Sequence, residues 1–198
     1  MPRATSRSLW SKKISVAGVD TSGFLNRPAG DAAFGLKKPF SGLILGVDPS
    51  LRGTGLAVVE FTPGRDPRLR ASRALNIPDR FDMPHCLGEI YKAVADMIEE
   101  WPVVHTAFEQ TIYVQNFRTA QILGSARGAA IAAASVLGKP VHEYAPLRVK
   151  QAVVGHGRAD KEQVAGMIRQ VFSLPEPLSF DESDAAAVAL CHAYTWRG

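Results

Sequence analysis

The apolar positions along the chain fall into blocks of two kinds. LILGVD (43–48), LAVVEF (56–61), VVHTAFEQ (103–110) and PVHEYA (140–145) are short runs bounded by Gly, Pro or charge. That is the pattern of strands buried in a sheet. Arg68 to Ile77 alternates more loosely and predicts a further strand. Between the first two runs, PSLRGTG turns the chain through Gly53 and Gly55, so LAVVEF returns as a hairpin partner of LILGVD. From Pro84 onward Leu87, Ile90, Tyr91, Val94, Ile98 and Trp101 recur at helical spacing. Asn116 to Leu137 predicts a long helix rich in small residues, and shorter helices follow at roughly 146–154, 160–173 and 181–195. The second of these opens with Asp160 and Gln163 at capping-box spacing. The order βββαβαβααα predicts an α/β fold, a five-stranded mixed sheet with helices on both faces.

Composition narrows the class. The 198 residues are 46% hydrophobic and 21% charged, which suits one globular domain and excludes wholesale disorder. The most apolar stretch, Gly128 to Gly138, is about half of a bilayer span, so no membrane helix is expected. Cys86 and Cys191 lie far apart and show no zinc-ligand spacing, which suits a reducing compartment and predicts a cytoplasmic protein. The net charge of +4 is unevenly placed: residues 1–40 hold 7 Lys+Arg against 2 Asp+Glu, whereas 41–198 hold 16 against 17. Residues 1–40 therefore read as a disordered basic leader and 41–198 as the folded domain. The leader lacks the apolar core of a secretory signal. It is Arg/Ser-rich and acid-poor, so organelle targeting stands as an alternative beside a nonspecific DNA-binding tail or a misassigned start. Within the domain, residues 118–169 carry 8 basic and 3 acidic residues, a local surplus suited to a polyanion.

Four acids stand out by position. Asp48 and Glu109 each end a central strand, where a carboxylate is aimed out of the sheet's end. Asp181 and Asp184 are three apart at the start of the last helix and share one face. Each alone has a plainer explanation, as a turn former, a strand-end charge or a residue favoured by the helix dipole. Together, if the strands are adjacent and the helix start is near, they would repel. A pair of like charges at about 4 Å costs about 4 kcal/mol at an effective dielectric near 20. Divalent metal is the natural compensation, and an all-oxygen set selects Mg²⁺ or Mn²⁺ over zinc. Two such ions can stabilise both the attacking water and the leaving oxygen of a phosphodiester.

ILGVDPSLRGTG, FEQ, RTAQILGSARGAAIAAA, EYAPLRVKQAVVGHGRADKEQV and DESDAAAVALCHA resemble, in order and spacing, RuvC, the bacterial Holliday junction resolvase. The resemblance covers about residues 43–195. It implies a ribonuclease H-like fold and a homodimer that uses two Mg²⁺ ions per active site. It also implies symmetric nicks in two strands of a four-way DNA junction during recombination and repair, leaving 5′-phosphate and 3′-hydroxyl ends. The catalytic and metal-binding acids it implies are Asp48, Glu109, Asp181 and Asp184, with Asp48 bridging both ions, Glu109 mainly on one and Asp184 on the other. A RuvA/RuvB branch-migration complex is the implied partner, and the implied location is nucleoid-associated.

Lys150 and Lys161 match two lysines that the family needs for junction binding or cleavage. Lys161 also sits just inside a helix N-terminus, where the dipole disfavours a cation unless an anion is near; otherwise both are solvated surface lysines. Arg118, Arg148 and Arg158 are further candidates for phosphate contacts. In the loop after Glu109 the family usually begins with a stacking aromatic. Here that position is Ile112, and Tyr113 follows, so Tyr113 either stacks one position later or anchors the loop. Gly124, Gly128 and Ala132 form a smooth stripe that allows close approach either to the protein's own sheet or to the same helix of a second subunit, as a C₂ dimer would use it. His85, His105, His142, His156 and His192 show no ligand spacing and read as structural or surface residues.

Rival functions fare worse. An actin-like or sugar-kinase ATPase needs two such domains, and a dinucleotide fold needs a GxGxxG after its first strand. A pre-ribosomal-RNA-processing nuclease of the same fold leaves EYAPLRVKQAVVG unexplained. A non-catalytic junction-binding protein predicts a missing acid, and all four are present.

Overall fold

The computed structural model describes residues 39–111 and 116–197. The leader up to residue 38 and the loop residues Ile112 and Tyr113 lie outside the described residues. Three strands come first, β1 (Gly42–Asp48), β2 (Gly55–Phe61) and β3 (Arg68–Ala74). Then follow α1 (Met83–Glu100), β4 (Val103–Glu109), α2 (Phe117–Val136) and β5 (Val141–Tyr144). Three helices close the fold, α3 (Pro146–Val154), α4 (Lys161–Phe172) and α5 (Phe180–Thr195). The strands lie in the order β3-β2-β1-β4-β5. β2 is antiparallel to β1 and to β3, whereas β4 runs parallel to β1 and to β5. The predicted mixed sheet is present, and its two central strands, β1 and β4, end side by side. β3 stops at Ala74, three residues short of the predicted Ile77.

Two cores cover the faces of the sheet. Strand alternation sends Leu45, Val47 and Phe108 to one side, where they meet Ile90, Val94 and Met97 of α1 and Ala126, Ala130 and Ala133 of α2. Ile44, Ala57, Val59 and Ala107 point to the other side, against α3, α4 and above all α5. From Ser183 to His192 only Asp184 in α5 is less than buried, which is why a helix of mostly small residues, tight against the sheet, is held so firmly. Phe40, inside the stretch that composition assigns to the leader, belongs to this second core. It is 8% exposed and stacks edge-on against Phe61 and Trp196. The ordered domain therefore begins before Ser41, because an aromatic ring with partners is worth burying wherever the charge pattern changes.

Three glycines set how closely α5 approaches. A Cβ on Gly46 would collide with the Ala185 carbonyl oxygen, and one on Gly55 with the Asp181 carbonyl. At Gly53 it would lie 2.9 Å from Asp181 Oδ2. Gly55 is thus the first residue of a strand that needs room for a helix start, more than a turn former. The turn before it is closed by side chains. Gly53 N–H donates to Ser50 Oγ (3.0 Å), and Ser50 N–H to Thr54 Oγ1 (3.1 Å).

Candidate active site

Strand geometry delivers the first two acids. In the parallel β1–β4 pair Val47 lies opposite Phe108, and both face the α1/α2 core. The next residue on each strand, Asp48 and Glu109, therefore turns to the α5 side, and their carboxyl groups come close enough for each to shift the other's proton affinity. The start of α5 brings the other two. Ser179 caps the helix, accepting from the Glu182 N–H, and Glu182 in turn accepts from Ser179 N–H (3.1 Å). Ser72 of β3 donates to Glu182 Oε1 at 2.8 Å, tying the helix start to the sheet edge. Burial pushes Glu182 up, but the hydrogen bonds from Ser179 and Ser72 outweigh it and hold its carboxyl below the usual range. With the helix start pinned there, Asp181 and Asp184 face Asp48. The charges of both raise the Asp48 carboxyl.

All four predicted acids converge, and their mutual electrostatics show it. Burial and the charge of Asp184 push Asp48 up to about 6. Burial, then the charges of Asp48 and Asp184, push Glu109 up to about 8. Asp184 is also raised, chiefly by burial, although Lys161 and Lys150 pull it back. An all-oxygen donor set that must shed protons to be fully charged at neutral pH fits a hard divalent cation, which would replace those protons.

Both predicted lysines are at the site. Lys161, the first residue of α4, places Nζ 4.0 Å from Asp184 Oδ2. Its place at a helix N-terminus is explained by that carboxylate, beside the expected Asp160–Gln163 capping box. Lys150 donates to the Ala159 carbonyl oxygen (2.7 Å), which holds its charge where it lowers Glu109 and Asp184. The arginines are less engaged. Arg148 lies over the Tyr144 ring, 5.5 Å from its centroid. Arg118 and Arg158 are exposed, without a hydrogen bond or ion pair among the described residues. Arg52 is no spare cation, since it donates to the carbonyls of Pro78 and Phe81 and pairs with Asp79.

The small-residue stripe does not lie against the protein's own sheet. Gly124, Gly128 and Ala132 are exposed, and a Cβ on either glycine meets nothing within 4 Å. Ala126, Ala130, Ala133 and Ala134 make the inward face instead. Three of the histidines, expected as structural or surface residues, gather in one place. His105, His142 and His192 converge from β4, β5 and α5, although nothing in their linear spacing signals it.

The raised carboxyls carry a stability consequence with a definite sign. Unfolded, Asp48 and Glu109 titrate near 4, so the folded metal-free protein holds their protons more tightly. The stability they contribute is complete below about pH 4 and disappears as pH rises through their folded values of about 6 and 8. His192, pushed down to about 3 by burial and its two histidine neighbours, has the opposite effect, confined below its unfolded value near 6.5. In chelator, thermal unfolding temperature is therefore expected to fall between pH 6.5 and 8, by the equivalent of about 1–2 kcal/mol. Saturating Mg²⁺ or Glu109→Gln should flatten that slope; an equal slope in Glu109→Gln would locate its cause elsewhere.

A mixed five-stranded sheet with carboxylates gathered at the ends of its two central strands defines a metal-dependent nuclease of the ribonuclease H-like class. The family model described as "Crossover junction endodeoxyribonuclease RuvC" matches residues 44–192. Over 151 residues the chain is 44% identical to the crossover junction endodeoxyribonuclease RuvC of Halorhodospira halophila, covering 76% of this chain and 89% of the relative. Over 153 residues it is 41% identical to that of Citrifermentans bemidjiense, covering 77% and 93%. Among solved structures, T. thermophilus RuvC in complex with a Holliday junction substrate superposes with a TM-score of 0.72 at 32% identity, covering 77% of this chain and 93% of that one. The yeast mitochondrial resolvase Ydc2 shares the fold at TM-score 0.58 and 11% identity, over 81% and 80% of the two chains. This chain belongs to the RuvC family of crossover junction endodeoxyribonucleases.

Proposed function

We propose that this protein resolves four-way DNA junctions with Asp48, Glu109, Asp181 and Asp184 as its catalytic acids and two Mg²⁺ ions as its cofactor. The observation that carries the reading is the meeting of these carboxylates, from β1, β4 and the start of α5, at one end of the sheet. Bound there, the ions supply activation of water and stabilisation of the leaving oxygen of a phosphodiester. The chain's own part is to hold the oxygens in place on rigid elements, with Asp48 central because it feels all three of the others. Lys150 and Lys161 add positive charge at the rim, suited to the scissile phosphate and its neighbours. Arg118, Arg148 and Arg158 extend that surface along the DNA backbone, and Tyr113, outside the described residues, is the candidate for stacking at the crossover.

The outward stripe of Gly124, Gly128 and Ala132 supports a homodimer, since a second copy of α2 could approach closely over open space. A two-fold protein would place two such sites on a two-fold substrate and cut both strands alike. A RuvA/RuvB-type motor is the partner this reading supplies, with action on the cytoplasmic nucleoid. Among the described residues no helix is long and apolar enough to cross a membrane.

The test is incubation of the protein with a synthetic four-way junction and Mg²⁺. Paired symmetric nicks that ligase reseals support the reading, and binding without nicks overturns it. Lys161→Ala should change folding stability by no more than about 0.5 kcal/mol, because the side chain is 64% exposed and its pair is at the surface. It should slow nicking several-fold and reduce the salt slope of junction binding by about one unit. An unchanged slope with full activity would remove Lys161 from the DNA-binding surface.

A further inference from the structure

We propose that His105, His142 and His192 form a transition-metal site, of the kind that takes Zn²⁺, which clasps the carboxyl-terminal half of α5 to β4 and β5. One ligand atom from each of the three lies within 4.8 Å of the others. His105 Nδ1 and His192 Nε2 are 2.9 Å apart. A tetrahedral ion with nitrogen ligands at about 2.0–2.1 Å needs its donors about 3.3 Å apart, a spacing that lies between the 2.9 Å of the near pair and the 4.8 Å that bounds the trio.

The surroundings suit ligation. His192 Nδ1 lies 2.7 Å from the Tyr144 hydroxyl. With Nδ1–H donating to that oxygen, Nε2 keeps its lone pair, which accepts from His105 Nδ1–H in the metal-free protein. A metal ion would displace that proton, His105 shifting to its other tautomer, while the outer partner keeps the imidazole oriented. His142 Nε2 is buried and has no hydrogen-bond partner, a polar atom that folding should not strand without a use. Burial pushes all three imidazoles down, and His192 to about 3, so they are held in the neutral form that binds metal. The rings of Phe40 and Trp196 pack over the cluster, with Trp196 at 4.7 Å from His105 and 5.5 Å from His142. An apolar cover of this kind shields the ligands from water.

The site is separate from the carboxylates in place and in chemistry. His105 precedes Glu109 by four residues, about 13 Å along β4. His192 follows Asp184 by eight residues, about 12 Å along α5. Imidazole nitrogen selects Zn²⁺, Co²⁺, Ni²⁺ or Cu²⁺, whereas the acids select Mg²⁺ or Mn²⁺. A plain hydrogen-bonded cluster of neutral histidines is the competing explanation.

The test uses the full chain, stripped of metal, with Co²⁺ as a coloured probe and Zn²⁺ as competitor. One equivalent of Co²⁺ should give the intense visible bands of tetrahedral nitrogen ligation, and Zn²⁺ should bleach them and raise the unfolding temperature. His142→Phe removes a side chain that makes no hydrogen bond, and should weaken Zn²⁺ binding by at least about 100-fold. Asp48→Asn should leave it unchanged. Only weak octahedral bands in the wild-type chain, or equal Zn²⁺ affinity in His142→Phe, would overturn the proposal. The wild-type spectrum decides the matter even where the variant does not fold.

Discussion

Replacing Asp48 by Asn is expected to abolish junction nicking, by at least about a thousandfold, while leaving junction binding within a few-fold of wild type. Asn keeps the shape of the side chain but removes the charge on which the proposed cation pair depends. Losing about 4 kcal/mol of charge stabilisation at the phosphate corresponds to about three decades in rate. Lys150, Lys161 and the exposed arginines are untouched, so affinity for the DNA backbone should persist. The same substitution should also raise the unfolding temperature in chelator at neutral pH. Asp48 is ionised against its burial and against the charge of Asp184, and the neutral amide is spared both. Nicking assays, binding isotherms and thermal melts on one preparation check all three. Loss of binding together with a lower melting temperature would make Asp48 a structural residue and refute its catalytic role.

A second large effect is expected from a residue that carries no charge. Gly46→Ala adds one methyl group, directly into the Ala185 carbonyl oxygen. Backbone has no rotamer with which to yield, so α5 must slide or tilt. Overpacking a core costs about 1–3 kcal/mol, and a backbone-against-backbone collision belongs at the upper end or beyond. Because α5 carries Asp181 and Asp184, nicking should fall more than the folded fraction does. Gly128→Ala makes the contrast. Its Cβ meets open space, and Ala in place of Gly stabilises an exposed helix by up to about 1 kcal/mol. That variant should melt higher and, on the proposed dimer reading, self-associate more weakly. Chemical denaturation and sedimentation on the two variants separate these outcomes. Equal stability of Gly46→Ala and wild type would mean that α5 does not sit where the contacts place it.

Much of this was readable from residue order because strands and helices announce themselves by period. LILGVD and VVHTAFEQ are apolar runs that end in an acid, and only adjacency of β1 and β4 was needed to make Asp48 and Glu109 neighbours. Asp181 and Asp184 share a face by helix geometry alone. The parts that stayed hidden are those without period. α2 carries small residues all round, so nothing in its pattern distinguishes the inward Ala126, Ala130 and Ala133 from the outward Gly124, Gly128 and Ala132. Gly46 looks like any strand glycine until the Ala185 carbonyl is seen against it. His105, His142 and His192 come from three elements, and their meeting depends on the register of β4 with β5 and on the depth at which α5 lies. Phe40 escaped because Lys37 and Lys38 precede it in sequence, while its neighbours in space are aromatic.

Two of the four acids, Asp181 and Asp184, sit on the helix that lies most closely against one side of the sheet. A polypeptide interrupted anywhere ahead of Phe180 would lack Asp181 and Asp184 and also the wedge that makes one hydrophobic layer pack. On the proposed reading, a truncated product would therefore lack half of its catalytic acids and one hydrophobic layer at once, so competence to cut would arise only in molecules whose synthesis has passed α5.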